Sequence, residues 1–561
     1  MMFIKKYKKY ALALVLLITF ITLYPSLENS LTNWDDHTYI INNTLIHDLS
    51  WNNIKSIFTD FFSGNYHPLT LLSFAAEYKF FKLNAFFYHF TNLSFHIMNC
   101  ALVFWFFNLL FGDFFVSILI ALLFGIHPLH VESVAWISER KDVLYTFFFF
   151  GSVISYLYYK KNETKLYLYY FSLFLFVLSL LSKGQAVVLP VVLLLCDYIK
   201  DKKLGMKQFK EKLTYFVLAL SFGVVAIVAQ RVSKAMDVAI GLTPVHSLVI
   251  ASYGIVFYIS KLIVPLNLSN LYPYPKEVSN IFSLPFIIPA VCAIGILAYI
   301  YLEKRNNKKI IFGTTFFLVN YLPVSQILPV GRAIAADRYM YIASLGLFFL
   351  FAEFILWANK KICNFRIKYL LAAFLLFFAG TFSLISFNRC KVWKNGVTLW
   401  TDAISKDPKS FLAYYTRGTA YANYGENDKA RPDFEKSLEL NPVYSKTYYG
   451  LGNLDLADEK YDEAIANFSR AILTDPDNAL AYNNRGFAFA VKGELNKALS
   501  DYYNAIKIDS DYAKAYFNIS GAYLRKRNLK EAAIYLKKAE SLGYENKENI
   551  EKLKKEIGSI Y

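Results

Sequence analysis

Two adjacent carboxylates, Asp35 and Asp36, are the strongest chemical lead in this chain. They lie in the segment Asn33–His37, only a few residues beyond the first apolar stretch. A hydroxyl group that attacks a glycosyl carbon needs a carboxylate within hydrogen-bond reach to accept its proton. Paired aspartates are also common in solvated loops and at helix N-termini. The position beside an apolar stretch, together with Trp34 and His37, favours the catalytic interpretation.

Other ionisable residues recur in short segments between apolar runs. Charged groups at membrane depth are costly to bury, so they indicate function by default. The cations could neutralise a departing phosphate. The two histidines three residues apart could bind a metal ion. A cluster of charges could equally be a solvated surface. The candidates are His127, His130, Glu132, Glu139, Arg140, Lys141, Asp142, Lys183, Arg332, Asp337 and Arg338.

Composition separates the chain into two parts. Of its 561 residues, 56% are hydrophobic and 18% are aromatic, which is more apolar than an ordinary soluble domain. The apolar runs end near residue 390, and the remainder is polar and charged. We therefore predict a polytopic membrane domain at residues 1–390 and a soluble domain at residues 391–561. The five cysteines lack a CxxC spacing, which indicates neither a zinc site nor a disulfide framework.

The net charge of +17 is explained by membrane topology and does not indicate a nucleic acid partner. The lysines cluster in short loops between apolar runs, where such clusters mark the cytoplasmic side. The basic segment Lys5–Lys9 precedes an apolar run without a small-residue cleavage site, so we expect an uncleaved first span. Counting sides predicts an integral, multi-pass protein of the plasma membrane with about eleven spans. Residues 51–83 and 247–264 are then interfacial, and both the Asp35–Asp36 loop and the C-terminal domain are extracytoplasmic.

The C-terminal domain repeats itself every 34 residues. The matching columns are Pro408, Pro442, Pro476 and Ser510; Tyr414, Tyr448, Tyr482 and Tyr516; Gly418, Gly452, Gly486 and Ser520; and Ala430, Ala464, Ala498 and Ala532. This period is typical of the tetratricopeptide repeat (TPR), in which each repeat is a pair of helices. About four repeats would stack into a solenoid whose concave surface suits a protein or peptide partner. The predicted fold class is therefore all-α in both domains.

Two long motifs and several short ones resemble a known family. They are Trp34–Asn43, Phe58–Asp60, His67–Thr70, His89, His96–Asn99, His127–Ala135, Glu139–Asp142 and Ala336–Gly346. Together with the order of the two domains, these segments closely resemble the transmembrane and TPR-containing O-mannosyltransferases and their bacterial relatives. The resemblance extends from residue 30 to the last repeat.

This resemblance implies a glycosyltransferase with a membrane domain of the GT-C fold, followed by the TPR α-solenoid. Such an enzyme transfers a sugar, with inversion, from a polyprenyl-phosphate carrier in the membrane to an acceptor on the outer face. The acidic pair would be the base, or a ligand of a metal or substrate, and His67 joins the substrate-binding candidates. Animal members carry a glutamate where this chain has Gly184, so the role of that acid is not transferred.

In our mechanistic hypothesis, Asp36 accepts the proton and Asp35 assists it. The sequence alone is also compatible with the reverse assignment. The lipid-linked sugar is the donor, mannose being one candidate, and a hydroxyl of an exported protein is the acceptor. The sequence identifies no cofactor, and it is compatible with a reaction that uses a divalent cation. The candidate cations for the carrier phosphate are Arg140, Lys141, Arg332 and Arg338.

Two other classes of function account for part of the sequence. A membrane-anchored TPR scaffold without catalysis explains the repeats, but one span would suffice to tether it. A transporter predicts charges at the bilayer midplane and paired, interrupted helices. Here the charged clusters flank the apolar runs, and no inverted repeat is evident.

Overall fold

The computed structural model describes residues 2–201, 205–233, 243–275, 280, 282–303, 307–328, 331, 333–544 and 546–558. Two compact units are present, Met1–Asp402 and Ala403–Tyr561. The boundary predicted after residue 390 lies within the first unit. Among the described residues, two short strands, Tyr272–Pro273 (β1) and Ala333–Ala335 (β2), pair antiparallel. Helices form the rest of the regular structure, which confirms the predicted all-α class.

The first unit consists of helices joined by short loops. Their bounds are α1 Met2–Leu23, α2 Thr44–His47, α3 Trp51–Thr59, α4 Pro68–Phe81, α5 Ala85–Phe111, α6 Phe114–Ile126, α7 Val131–Ala135, α8 Arg140–Lys161, α9 Leu166–Ser182, α10 Leu189–Asp201, α11 Met206–Glu211, α12 Leu213–Val232, α13 Pro244–Ile263, α14 Leu284–Glu303, α15 Lys308–Tyr321, α16 Met340–Lys361 and α17 Phe365–Val392. Helix α18, Gly396–Lys406, follows. Short helical turns occupy Tyr24–Glu28, His37–Ile41, Pro128–His130, Ile137–Glu139, Gly184–Val188, Leu322–Val324 and Asp337–Tyr339.

Several helices are long and apolar enough to cross a membrane, so this is a membrane protein. Within the described residues six qualify: Tyr10–Glu28, Ala85–Phe111, Leu213–Val232, Pro244–Ile263, Asp337–Lys361 and Phe365–Val392. The bent pair of α6 and α7 would be a seventh, and two further apolar helices are shorter. The count of about eleven stays a prediction. So does the interfacial placement of 247–264, which the length of α13 does not favour.

A proline break turns the chain where site residues follow. Helices α6 and α7 meet at an angle of 54° around Pro128. Proline cannot donate a backbone hydrogen bond and disfavours helical geometry in the residue before it. His127 accordingly has an extended conformation with φ of −70° and ψ of 131°. The break ends α6 and directs α7, with Glu132, into the buried interior of the unit.

Helices α15 and α16 cross at two glycines. An ideal Cβ added to Gly313 would lie 2.8 Å from the carbonyl oxygen of Gly346, and a Cβ on Gly346 would overlap the backbone of α15. Small residues at such crossings allow helix backbones to approach closely. This contact fixes the start of α16, directly after Asp337–Tyr339.

The second unit contains the predicted repeats. Its helices are α19 Phe411–Asn423, α20 Asn427–Leu440, α21 Ser445–Ala457, α22 Tyr461–Thr474, α23 Ala479–Val491, α24 Leu495–Ile508, α25 Ala513–Arg525, α26 Leu529–Ser541 and α27 Lys547–Ile557. The repeated glycines lie where paired helices touch. A Cβ at Gly418 would lie 2.8 Å from the ring of Phe434, and one at Gly486 would lie 2.8 Å from the ring of Tyr502. The four predicted helix pairs are therefore present.

Candidate active site

Asp36 is a buried structural anchor. Its Oδ2 accepts hydrogen bonds from the backbone N–H and the hydroxyl of Thr32 at 2.9 and 2.8 Å. Its Oδ1 accepts from the backbone N–H and the hydroxyl of Ser138 at 3.0 and 2.5 Å. Burial raises the pKa of Asp36, and these hydrogen bonds counteract that rise. With both oxygens occupied, Asp36 joins its own loop to the turn that precedes α8.

Asp35 is the accessible member of the pair. Its side chain is partly exposed, and no described residue donates a hydrogen bond to its carboxylate. Partial burial of the Asp35 carboxylate raises its pKa to about 6, although the positive charges of Lys141 and Arg338 act to lower it. A carboxylate with a pKa near the working pH is suited to accept a proton and later release it. Of the two carboxylates, Asp35 is therefore the one whose oxygens accept no hydrogen bond from the described residues, whereas the sequence-based hypothesis puts Asp36 first.

Glu139 is the centre of a network of ion pairs beside Asp35. Its Oε1 lies 3.1 Å from Nζ of Lys141 and 3.2 Å from Nε of Arg338. Its Oε2 lies 3.6 Å from Nζ of Lys183. Burial by itself raises the pKa of Glu139, but the three cations together lower it to about 2. Glu139 therefore remains ionised and holds three cations in one place.

Two more buried acids complete this network. Glu132 accepts hydrogen bonds from Arg338, at 2.5 Å from Nη1 and 3.1 Å from the backbone N–H. Asp142 pairs with Lys183 at 2.5 Å and accepts a hydrogen bond from the hydroxyl of Ser133 at 3.0 Å. Charge-assisted bonds of this kind are the strong ones in proteins.

The network presents its cations outward. The side chains of Glu132, Glu139 and Asp142 are at most 2% exposed. Those of Lys141, Lys183 and Arg338 are 11%, 13% and 18% exposed. A layer of buried carboxylates thus orients a partly accessible layer of cations. Such a surface could bind an anionic group beside Asp35.

Arg140 lies elsewhere, although the sequence suggested it as a phosphate ligand. Its guanidinium is fully buried and forms an ion pair of 3.0 Å with Glu77. It also donates to Asn92 and, at 2.9 Å, to the backbone oxygen of Tyr88. Arg140 faces away from Lys141 because neighbours in a helix point about 100° apart. Its contacts join α4, α5 and α8, so the structure gives it a packing role.

The histidines separate into two kinds. His127 contacts the backbone oxygen of Leu262 at 3.1 Å and accepts from a backbone N–H, while His130 contacts the oxygens of Phe124 and Ser344 at 2.7 and 3.0 Å. Both rings are buried, and both nitrogens of each ring have hydrogen-bond partners within the protein, so their role in substrate binding stays a prediction. Within the described part of the chain, no group of three or more His, Cys, Asp or Glu side chains is arranged to hold a metal ion.

His67 is different because it is buried without partners. Neither ring nitrogen has a hydrogen-bond partner among the described residues. The centroid of its ring lies 5.4 Å from the ring centroid of Tyr39. Nζ of Lys141 lies 5.3 Å from the same Tyr39 centroid. Burial and the nearby charge of Lys141 lower the pKa of His67 to about 3. His67 is therefore a neutral imidazole next to the ion-pair network.

The remaining predicted residues are Asp337 and Arg332. The carboxylate of Asp337 is buried and accepts a hydrogen bond from the hydroxyl of Tyr272 at 2.8 Å. It therefore supports the segment that carries Arg338 and is not itself in the Glu139 network. Arg332 lies outside the described residues, and its candidacy stays a prediction.

The sequence gives no sign of one residue that organises the site, Ser138, and it indicates Glu139 only as a member of the charged run Glu139–Asp142. Both belong to the short turn Ile137–Glu139, which brings them to the loop that contains Asp35 and Asp36. A polar turn between two strongly apolar segments was the available signal, because charges there are seldom left unpaired in a membrane protein.

An apolar groove lies between α13, α14, α15 and α16. Its volume is about 500 Å³. Helix α13 is tied to the segment before Arg338, because the hydroxyl of Tyr258 donates to the backbone oxygen of Ala336 at 3.1 Å and accepts from its N–H at 2.9 Å. The lining includes Ile255, Ile259, Ile296, Tyr299, Phe317 and Leu347.

Family models match the second unit. Models described as tetratricopeptide repeat match residues 411–442 and 513–542, and one described as TPR repeat matches residues 452–493. Among solved structures, a crystal structure of MamA is 26% identical and covers 27% of this chain and 90% of that chain, with a TM-score of 0.25.

Relatives resemble a much larger part of the chain. A Caenorhabditis elegans protein named protein O-mannosyl-transferase F38B6.6 is 23% identical over 437 residues, which is 74% of this chain and 60% of that protein. Human protein O-mannosyl-transferase TMTC3 is 23% identical over 490 residues, which is 76% of this chain and 52% of that protein. The chain thus spans between about half and three-fifths of the length of these curated relatives. The resemblance to transmembrane and TPR-containing O-mannosyltransferases is confirmed.

Proposed function

We propose that this chain is a membrane glycosyltransferase that transfers a sugar from a polyprenyl-phosphate carrier to a serine or threonine hydroxyl of an exported protein. The observation that carries the proposal is Asp35, a partly exposed carboxylate beside a layer of cations. Its relatives are named protein O-mannosyl-transferases, so mannose is the first sugar to test.

In the proposed reaction, Asp35 accepts the proton of the acceptor hydroxyl as its oxygen forms a bond to the anomeric carbon. The bond from that carbon to the carrier phosphate breaks, and the phosphate leaves with the electron pair. Attack opposite the leaving group inverts the anomeric centre. A pKa of about 6 leaves Asp35 largely ionised at neutral pH, so it is ready to act as a base.

The leaving phosphate would lie against the outward cations of the network. Lys141, Lys183 and Arg338 are partly exposed, and their acidic partners hold them in place before substrate arrives. Preorganised charges of this kind stabilise a developing anion without reorganisation during the reaction. His67, neutral and without a partner among the described residues, would exchange a hydrogen bond with a substrate hydroxyl.

The lipid part of the donor would occupy the apolar groove. Helix α13 lines this groove and is hydrogen-bonded through Tyr258 to Ala336, two residues before Arg338. A chain of isoprene units in the groove would therefore lead toward the cation layer. The loop of Asp35 and the TPR domain would both face the extracytoplasmic side, where the repeats bring the protein acceptor.

The test is sugar transfer by the purified full-length protein in lipid. A panel of polyprenyl-phosphate sugars serves as donors, and an extract of exported proteins serves as acceptors, with and without a chelator to measure metal dependence. We expect Asp35→Asn to reduce transfer by about 100- to 10,000-fold, because it removes the base. Asp48→Asn, which changes an exposed aspartate of the same N-terminal region, should leave transfer unchanged.

The scaffold alternative makes the opposite prediction. If folded wild-type protein transfers no sugar from any competent donor, or if Asp35→Asn transfers as fast as wild type, the proposed function is wrong. Binding of exported proteins by the repeats without any transfer would then favour the scaffold.

A further inference from the structure

Four tryptophans from distant parts of the first unit stack beside Asp35. Trp34, the residue before Asp35, stacks on Trp400 with ring centroids 4.6 Å apart and planes at 14°. Its ring also meets the edge of Trp136 at 5.6 Å. Trp136 in turn stacks on Trp393 at 5.4 Å. Trp136, Trp393 and Trp400 are at most 2% exposed, and Trp34 is partly buried.

Hydrogen bonds attach the same loop to residues 390–400, where α17 ends and α18 begins. We call these residues the post-span segment. The indole N–H of Trp400 donates to Oδ1 of Asn33 at 3.2 Å. Ser30 donates through its N–H and its hydroxyl to the backbone oxygen of Lys394, at 2.8 and 2.9 Å. Asn29 donates through its side chain to the backbone oxygen of Cys390 at 3.1 Å.

The loop is thus held on two sides. The post-span segment holds residues 29–34, and Ser138 holds Asp36 from the turn before α8. Asp35 lies between these attachments, and its carboxylate takes part in none of them. The guanidinium of Arg338 lies 5.4 Å from the ring centroid of Trp136, so the cation layer rests on the same aromatic row.

We propose that Trp400 is a positioning residue for the transfer reaction, because its ring fixes Trp34 and thereby the backbone that presents Asp35. The post-span segment is then part of the active site and more than a connection to the repeats. The proposal rests on the proposed function for the role of Asp35, but the attachment of the loop can be measured without any substrate.

The experiment compares full-length variants in lipid nanodiscs. Trp400→Leu removes the aromatic plane and keeps an apolar side chain, whereas Trp400→Phe keeps an aromatic ring. Trp51→Ala is the matched control, because Trp51 is 76% exposed and stacks on none of these rings. We expect faster amide hydrogen exchange at residues 29–36 in Trp400→Leu. Exchange in Trp400→Phe and Trp51→Ala should resemble that of the wild type.

Transfer kinetics supply a readout that loss of stability alone would not change. In Trp400→Leu we expect a kcat about 100-fold lower with KM little changed, since a misplaced catalytic group costs about that much. The acidic limb of the pH profile should also move to lower pH, because a looser loop exposes Asp35 to water. The other groups that set its titration are Lys141, Arg338, Glu139 and Asp36, and Trp400→Leu replaces none of them.

The outcomes separate the two proposals. Unchanged exchange at residues 29–36 in a folded Trp400→Leu protein overturns the positioning role, as does a loss of kcat without any shift of the acidic limb. If the wild type transfers no sugar, the proposed function fails, and the exchange data still decide whether Trp400 holds the loop. If Trp400→Leu does not fold, the Trp400→Phe variant decides. Hydrogen exchange, kcat and an acidic limb like those of the wild type support the role of the ring. A lower kcat with an unmoved acidic limb overturns it.

Discussion

Asp35 and Asp36 are adjacent in the chain but differ in burial and in hydrogen bonding. Asp36 accepts four hydrogen bonds and is buried, whereas the carboxylate of Asp35 is partly exposed and accepts none from the described residues. A buried carboxylate with satisfied oxygens is costly to replace, since its donors would be left without partners. Substitution of Asp36 should therefore damage the loop, and substitution of Asp35 should damage the chemistry.

The pH dependence of transfer should report Asp35. Its pKa is raised to about 6, and only the ionised form can accept a proton. Transfer should therefore be constant above pH 7 and fall as the pH decreases through about 6. The measurement is kcat/KM against pH for the wild type. A limb near the ordinary aspartate pKa of about 4 would contradict the assignment.

Glu139 should control donor binding more than chemistry. Glu139→Gln removes the charge that holds Lys141, Lys183 and Arg338 together. We expect KM for the donor to rise about tenfold or more, in line with the 1.5 to 3 kcal/mol typical of a hydrogen bond to a charged group. The matched control is Glu353→Gln, which removes an ion pair with Lys309 elsewhere in the unit. An unchanged KM in Glu139→Gln would exclude the network as the phosphate site.

At the scale of elements, the crossing of α15 and α16 determines where Arg338 lies. Helix α16 begins two residues after Arg338, and its contact with α15 is made through glycines that have no room for a Cβ. An overpacked contact of this kind usually costs about 1 to 3 kcal/mol. A displaced α16 would also move Arg338 relative to Glu132 and Glu139.

Gly346→Ala should therefore lower both the unfolding temperature and the rate of transfer. The control is Gly380→Ala in α17, where an added Cβ would meet no atom within 4 Å. Thermal unfolding in nanodiscs and transfer assays at saturating donor check both effects. Equal unfolding temperatures for the two variants would show that the α15–α16 contact can relax without cost.

At the scale of the whole molecule, the predicted topology states which side of the membrane each segment faces. The sequence-based topology puts the Asp35 loop and the repeats on the extracytoplasmic side and the loop between α16 and α17 on the other. That topology treats helix α13 as interfacial, yet the helix is long and apolar enough to cross the membrane. A direct measurement of sidedness therefore decides the model in which the repeats bring an acceptor to Asp35.

Thiol labelling of intact cells provides that measurement. Cys363, exposed between α16 and α17, should react with a membrane-impermeant reagent only after permeabilisation. Cysteines introduced in a Cys363→Ser background at the exposed positions Asn52 and Asp428 should react in intact cells. A cysteine at 428 that needs permeabilisation would put the repeats across the membrane from the Asp35 loop.

Features that depend on local periodicity can be predicted from the sequence. A 34-residue repeat forms helix pairs because glycines recur where the helices touch, as Gly418 and Gly486 show. Long apolar runs form helices that satisfy their own backbone hydrogen bonds in lipid. The acidic pair is visible in the sequence for a similar reason, because two adjacent carboxylates directly after an apolar run form a local pattern.

Which of these charged residues are accessible depends on contacts between distant parts of the chain. Asp36 is held by Ser138, 102 residues away, and Arg338 binds Glu132, 206 residues away. Arg140 and Lys141 are neighbours in the chain, yet one is enclosed by Glu77 and the other faces outward, because successive residues of a helix point in different directions. The chemical role of a charged side chain depends on its partners, and those partners lie beyond the range of any local pattern.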